Sequence, residues 1–108
     1  MSNEKSKKVV HKCSLKDVLD VIGGKWAMPI IYVLSKGKMR FKELERTIEG
    51  INTRMLVKEL KNLEANGIIT RNVFATVPPT VEYELTRKGV KLLPSIESLH
   101  QWGKEFAV

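Results

Sequence analysis

The chain first shows the period of a helix at Leu15, Val18, Leu19 and Ile22, apolar positions spaced i, i+3, i+4 and i+7. Ser14 precedes them and Asp17 follows three residues later, the pattern of a capped helix start with an acid in its first turn. Gly23-Gly24 ends that run. A second helix is predicted over about residues 26–35. Pro29 is tolerated in its first turn, and Ile30, Ile31, Val33 and Leu34 make it apolar enough to be central. Gly37 stops it. Met39 and Phe41 then flank Arg40 in a very short extended piece. Phe41, Leu44 and Ile48 mark a third helix of two turns, closed by Glu49-Gly50. Asn52 is a good N-cap for a fourth helix over residues 53–65, and Asn66-Gly67 is a strong stop.

Beyond Gly67 the period changes from 3.6 to 2. Residues 68–74 are β-branched and aromatic, and Val81, Tyr83 and Leu85 alternate with Glu82 and Glu84, so both stretches are predicted strands. Pro78-Pro79 between them cannot continue a ladder and belongs in the loop of a hairpin. Thr86 caps a last helix that carries Leu92, Leu93, Ile96, Leu99, Trp102 and Phe106, with Pro94 expected to kink or break it. The predicted order is α-α-β-α-α-β-β-α. This is a mainly α fold with a small β-hairpin (α+β), the layout of a winged helix-turn-helix.

The length of 108 residues with 43 % hydrophobic content supports one core. The chain divides into a basic, mobile tail over residues 1–12 and a folded domain over 13–108. No stretch approaches the roughly 20 apolar residues of a membrane span. Residues 1–12 lack the apolar segment of a secretory signal, so the expected compartment is the cytoplasm. A single cysteine builds no internal disulfide framework and fits a reducing compartment. Cys13, His11 and His100 have no zinc-type spacing, and neither a Gly-rich phosphate loop nor a nucleophile–base pattern is present. Neither catalysis nor a cofactor or metal is expected.

Charge sharpens the picture. The formal net charge is +7, carried by residues 1–12 and by residues 36–72, where nine basic residues face five glutamates. Such a block is the footprint of a polyanion-binding surface or merely a solvated lysine-rich one, and charge alone does not separate the two. The fourth helix favours the first, although any surface helix has a charged face. At about 100° per residue Arg54, Lys58 and Lys61 fall in a wedge of roughly 60°, with Leu56, Leu60 and Leu63 on the opposite side. Glu59 and Glu64 lie outside the wedge. Thr53 and Arg54 stand at the helix N-terminus, the end that reaches base edges in helix-turn-helix proteins. An arginine there can take both acceptors of a guanine, while Lys58 and Lys61 suit phosphates.

Gly23-Gly24-Lys25-Trp26, Asn52-Thr53-Arg54-Met55-Leu56, Leu63-Glu64-Ala65-Asn66-Gly67-Ile68 and Val77-Pro78-Pro79-Thr80-Val81-Glu82-Tyr83-Glu84-Leu85-Thr86 together closely resemble the HxlR family of bacterial transcriptional regulators, relatives of the MarR group. The resemblance covers roughly residues 13–106. It implies a dimeric, DNA-binding winged helix acting on a promoter, dimerising through its first and last helices and reading a pseudo-palindrome. The apolar Ile96, Leu99, Trp102 and Phe106 of the last helix agree with that. The expected DNA-binding set is Arg40, Lys42, Asn52, Thr53, Arg54, Lys58, Lys61, Arg71, Thr76 and Thr80. Many relatives carry Lys or Arg where Thr80 stands, so the grip of this wing is expected to rest on Arg71 and the Thr76 and Thr80 hydroxyls. Some relatives sense oxidants or electrophiles through a cysteine near Cys13, usually followed by Pro, where this chain has Ser14. A switch at Cys13 would be a bond between two copies, a mixed disulfide or alkylation, and an inert cysteine at the dimer edge is the alternative.

The leading expectation is a sequence-specific regulator binding double-stranded promoter DNA as a homodimer, with repression as the expected sense and a small-molecule effector left open. A winged-helix module binding an acidic protein is the alternative. Trp26 and Trp102 are read as core packing rather than pocket lining. Met28, Met39 and Met55 are read as gap-fillers.

Overall fold

The computed structural model describes residues 14–107. The tail over residues 1–12 and Cys13 lie outside the described residues. Helix α1 (Leu15–Ile22) starts on a complete capping box. Ser14 Oγ accepts from the Asp17 N–H at 3.4 Å, and the Asp17 carboxylate accepts from the Ser14 N–H at 3.2 Å. Helix α2 (Ala27–Leu34) buries Ala27, Ile30, Ile31 and Leu34, which makes it the central helix its composition predicts. Strand β1 (Met39–Arg40) leads directly into α3 (Phe41–Thr47), where the Glu43 carboxylate accepts from the Arg40 N–H at 2.8 Å. Helix α4 (Thr53–Ala65) follows, then β2 (Ile69–Phe74) and β3 (Thr80–Leu85).

The wing is larger than a hairpin. Strand β1 pairs antiparallel with β3, Met39 opposite Tyr83 and Arg40 opposite Glu82, so the sheet has three strands in the order β1-β3-β2. In the hairpin itself Ile69 faces Leu85, Arg71 faces Tyr83 and Val73 faces Val81, which puts these six on one face. That face meets the helices through Ile69 and Tyr83, both buried. The other core residues come from every helical layer: Ile22, Leu44 and Ile48, then Leu56, Leu60 and Leu63, then Ile68 and Ile96.

Two corners hold the wing to the helices. Gly67 takes φ +73°, a conformation L side chains rarely adopt, and turns the chain from α4 into β2. Lys88 Nζ then caps the helix end by donating to the Asn66 carbonyl at 2.7 Å. At the other corner the Thr86 hydroxyl donates to the Gly67 carbonyl at 2.6 Å and accepts from the Gly89 N–H at 3.1 Å. Gly89 lies so close to the strand that a Cβ there would stand 2.3 Å from the Ile68 carbonyl oxygen.

The single last helix predicted from sequence is two. Helix α5 (Arg87–Val90) ends at Lys91, and α6 (Leu93–Trp102) begins with Pro94 in its first turn, followed by a π-helical turn over Gly103–Ala107. Pro94 lacks the N–H that a continuous helix would use, and a helix start is where that loss costs least. Two side-chain assignments are corrected as well. Trp102 is 59 % exposed, with its ring centroid 5.6 Å from that of Phe106, and it is no core residue. Met55 is also exposed and fills no gap, whereas Met28 and Met39 pack against the core. No helix among the described residues is long and apolar enough to cross a membrane.

Candidate nucleic-acid interface

Helix α4 separates its faces as its periodicity requires. Leu56, Leu60 and Leu63 are buried, while Arg54, Lys58 and Lys61 are exposed. Its start is held by two side chains of the expected set. Asn52 Oδ1 accepts from the Met55 N–H at 2.8 Å, and the Thr53 hydroxyl donates to the Glu45 carboxylate of α3. Asn52 and Thr53 therefore fix the end of α4 on which Arg54 stands. The other end is fixed too: Asn62 Nδ2 donates to the Val21 carbonyl at 3.2 Å, tying α4 to the last turn of α1.

Electrostatics favour an anionic ligand here. Among the described residues one ion pair forms, Lys38 with Glu82 at 3.8 Å. Arg54, Lys58, Lys61, Arg71, Arg40 and Lys42 thus carry charges that no carboxylate among the described residues neutralises at contact distance. Arg71 of β2 and Lys61 of α4 border one recess of about 290 Å3, with Val57 and Glu64 at its edge. The helix stripe and the sheet thus bring one cation each to this recess, beside Glu64, and surface cations attract a polyanion.

A second cleft, of about 850 Å3, opens between the wing loop and the start of α3. Arg40, Lys42, Glu43 and Arg46 line its helical side, and residues 76–80 line the other. Arg46 was not singled out from the sequence, although its i+4 spacing from Lys42 on a short helix puts both on one face and could have found it. Thr76 and Thr80 point toward each other rather than outward. Thr76 Oγ1 donates to the Pro78 carbonyl at 2.6 Å, so its contact with Thr80 Oγ1 at 2.8 Å uses the Thr80 hydrogen. Both hydroxyl hydrogens are engaged inside the loop, and neither is left for a phosphate.

Apolar surface is concentrated elsewhere. Leu15 (79 % exposed), Val18 and Leu19 on α1, and Leu99, Trp102 and Phe106 (63 %) at the C-terminal end, face outward. Trp26 packs against the core and also borders an apolar groove of about 510 Å3 with Tyr32, Ile96 and Leu99. Trp102 does not reach this groove. Among the described residues no group of three or more His, Cys, Asp or Glu side chains could hold a metal ion.

Comparison with known proteins agrees with this architecture. A family model described as HxlR-like helix-turn-helix matches residues 21–108. An HTH-type transcriptional regulator of Methanothermobacter thermautotrophicus is 44 % identical over 96 residues, covering 89 % of this chain and 73 % of the relative. Among solved structures, the redox regulator HypR in its oxidized form superposes with a TM-score of 0.82 at 44 % identity, covering 86 % of this chain and 96 % of HypR. A regulator from Porphyromonas gingivalis W83 assigned to the MarR family gives a TM-score of 0.83 at 38 % identity, with 88 % and 93 % of the two chains covered.

Proposed function

Because this chain belongs to the HxlR-like helix-turn-helix family of DNA-binding transcriptional regulators, we propose that it acts as a homodimer on a pseudo-palindromic promoter site, in the sense of repression. The observation that carries this reading is the α4 stripe, where Arg54, Lys58 and Lys61 are exposed opposite a buried leucine face and unpaired with any described acid. In this reading Arg54 reads a base edge, Lys58 and Lys61 hold phosphates, and Arg71, Arg40 and Lys42 extend the grip onto the flanking backbone. Asn52 and Thr53 serve chiefly by holding the N-terminus of α4. The apolar faces of α1 and of the C-terminal segment support dimerisation, since exposed apolar patches mark association surfaces. Two-fold symmetry would set the two α4 helices about one DNA turn, roughly 34–36 Å, apart.

The test is a mobility-shift titration against the DNA upstream of the protein's own gene, with competitor DNA, at two salt concentrations. A competitor-resistant shift is expected. Binding that competitor removes at every salt would overturn sequence-specific recognition at that site.

The likeness to HypR, a redox regulator, supports a second part of the proposal: that Cys13 responds to oxidants or electrophiles. With one cysteine per chain, the chemistry is a disulfide between two copies, a mixed disulfide with a small thiol, or alkylation. Diamide or a quinone should change operator binding of the wild type and leave Cys13→Ser unaffected. Equal responses of the two proteins would remove Cys13 as the sensor.

A further inference from the structure

A carboxylate stands where a surface for a polyanion should least tolerate one. Glu45 of α3 is half-buried and reaches the first residue of α4, where it accepts the hydroxyl hydrogen of Thr53. Among the described residues it forms no ion pair, although Lys42 and Arg46 share its helix. Negative charge at this place weakens the pull on every phosphate, whatever the DNA sequence. Nor does the start of α4 need it as a cap. Asn52 Oδ1 already accepts from the Met55 N–H at 2.8 Å. The effect of Glu45 therefore falls on the Thr53 hydroxyl itself.

A threonine hydroxyl has one hydrogen to give and two lone pairs with which to accept. With the hydrogen held by Glu45, Thr53 offers an approaching ligand acceptors only. Thr53 is exposed and stands at the N-terminal end of α4, the end that meets base edges in the reading proposed above. In the major groove adenine N6 and cytosine N4 are donors, whereas guanine O6 and thymine O4 are acceptors. An acceptor-only group pairs with the first two and sets lone pair against lone pair with the others. We infer that Glu45 is a positioning residue for base selection: by holding the Thr53 hydrogen it makes α4 favour adenine or cytosine, on the strand facing Thr53, over guanine or thymine. This rests on the reading of α4 as a major-groove helix. The neighbouring Arg54 is donor-only and in that reading selects the opposite class, guanine, so one donor and one acceptor stand in succession at the end of α4.

In the experiment the full-length protein and its variants each select duplexes from a random library, and affinities for single-base changes in the selected site follow. In the wild type, one position per half-site should favour adenine or cytosine by roughly 2- to 10-fold, the usual effect of one hydrogen bond. Thr53→Val keeps the shape and removes the hydroxyl, and it identifies that position by levelling it. Glu45→Ala should level it too, because the freed hydrogen lets Thr53 donate to guanine or thymine, while preferences elsewhere in the site stay. Glu45→Gln keeps an acceptor for the hydrogen without the charge. There the preference should persist while affinity for every duplex rises about uniformly. A helix merely loosened would instead lose affinity at all positions together, and circular dichroism checks that the variants fold. A preference for guanine or thymine at the Thr53 position, or an unchanged one in Glu45→Ala, would overturn the role of Glu45 and leave α4 as the reading helix. Identical selections by Thr53→Val and the wild type would do the same. Recovery of no duplex by the wild type would overturn the DNA-binding reading itself, and the role of Glu45 with it.

Discussion

At the scale of single residues, charge and geometry assign different tasks to side chains that composition treats alike. Arg54 stands on the capped end of α4, where a planar guanidinium can engage two acceptors of one base, a discrimination of about 1–3 kcal/mol. Arg54→Ala should therefore weaken binding to the selected operator roughly 5- to 150-fold while leaving binding to random duplex almost unchanged. Lys61 stands about two turns further along the helix and borders one recess with Arg71, and in the proposed reading it meets phosphate. Lys61→Ala should weaken both kinds of binding alike and lower the log–log salt slope by about 0.9. Filter-binding titrations over a salt series measure both, and equal losses of specificity in the two variants would undo the assignment. The basic residues and their helical phase were legible from the sequence. The engagement of Thr53 with Glu45 and of Thr76 with Thr80 was not, because hydroxyl partners are set by residues 4 to 8 positions away whose approach depends on how two elements meet.

At the scale of elements, caps and close approaches decide where helices begin and how they seat. The Asn52 cap satisfies an otherwise orphaned N–H at the start of α4. Asn52→Ala should cost about 1 kcal/mol in urea unfolding and lower operator affinity as well, because the end that frays is the end bearing Arg54. Gly89 is a sharper case. An added Cβ would collide with the backbone of Ile68, which cannot give as a flexible side chain could. Gly89→Ala should destabilise by roughly 1–3 kcal/mol and displace α5 from the wing. A Val90→Ala control at an exposed position should change little, and an equal effect of the two would remove the close-approach argument. Element boundaries from α1 to β3 were readable to within a residue or two, since each stop is a local signal such as Gly37, Gly67 or Pro78-Pro79. The division of the last helix into α5 and α6 was only half legible. Pro94 marked the break, but α6 starts at Leu93, where the chain leaves the Gly89 contact.

At the scale of the whole molecule, this small chain leaves two apolar faces outward, one on α1 and one from Leu99 to Phe106. A second copy would cover them. Leu99→Asp together with Leu15→Asp should yield a monomer by light scattering with the circular dichroism of the wild type, because neither side chain belongs to the core. Operator binding should then fall sharply, since one half-site supplies only half of the contacts. A persistent dimer would place the interface elsewhere.

The sequence by itself determined the elements, their order, the leucine face of α4 and the cations opposite it. These follow from local periodicity and from caps and breakers, which act over three or four residues. The tertiary structure alone decided that β1 joins the wing as a third strand and that Arg71 comes beside Lys61. It also decided that Arg46 enters the cleft and that the wing threonines bond each other instead of facing out. The strand pairing and the cleft join segments far apart in the chain, and the threonine pair depends on the course of the turn between β2 and β3, which no helix or strand periodicity describes.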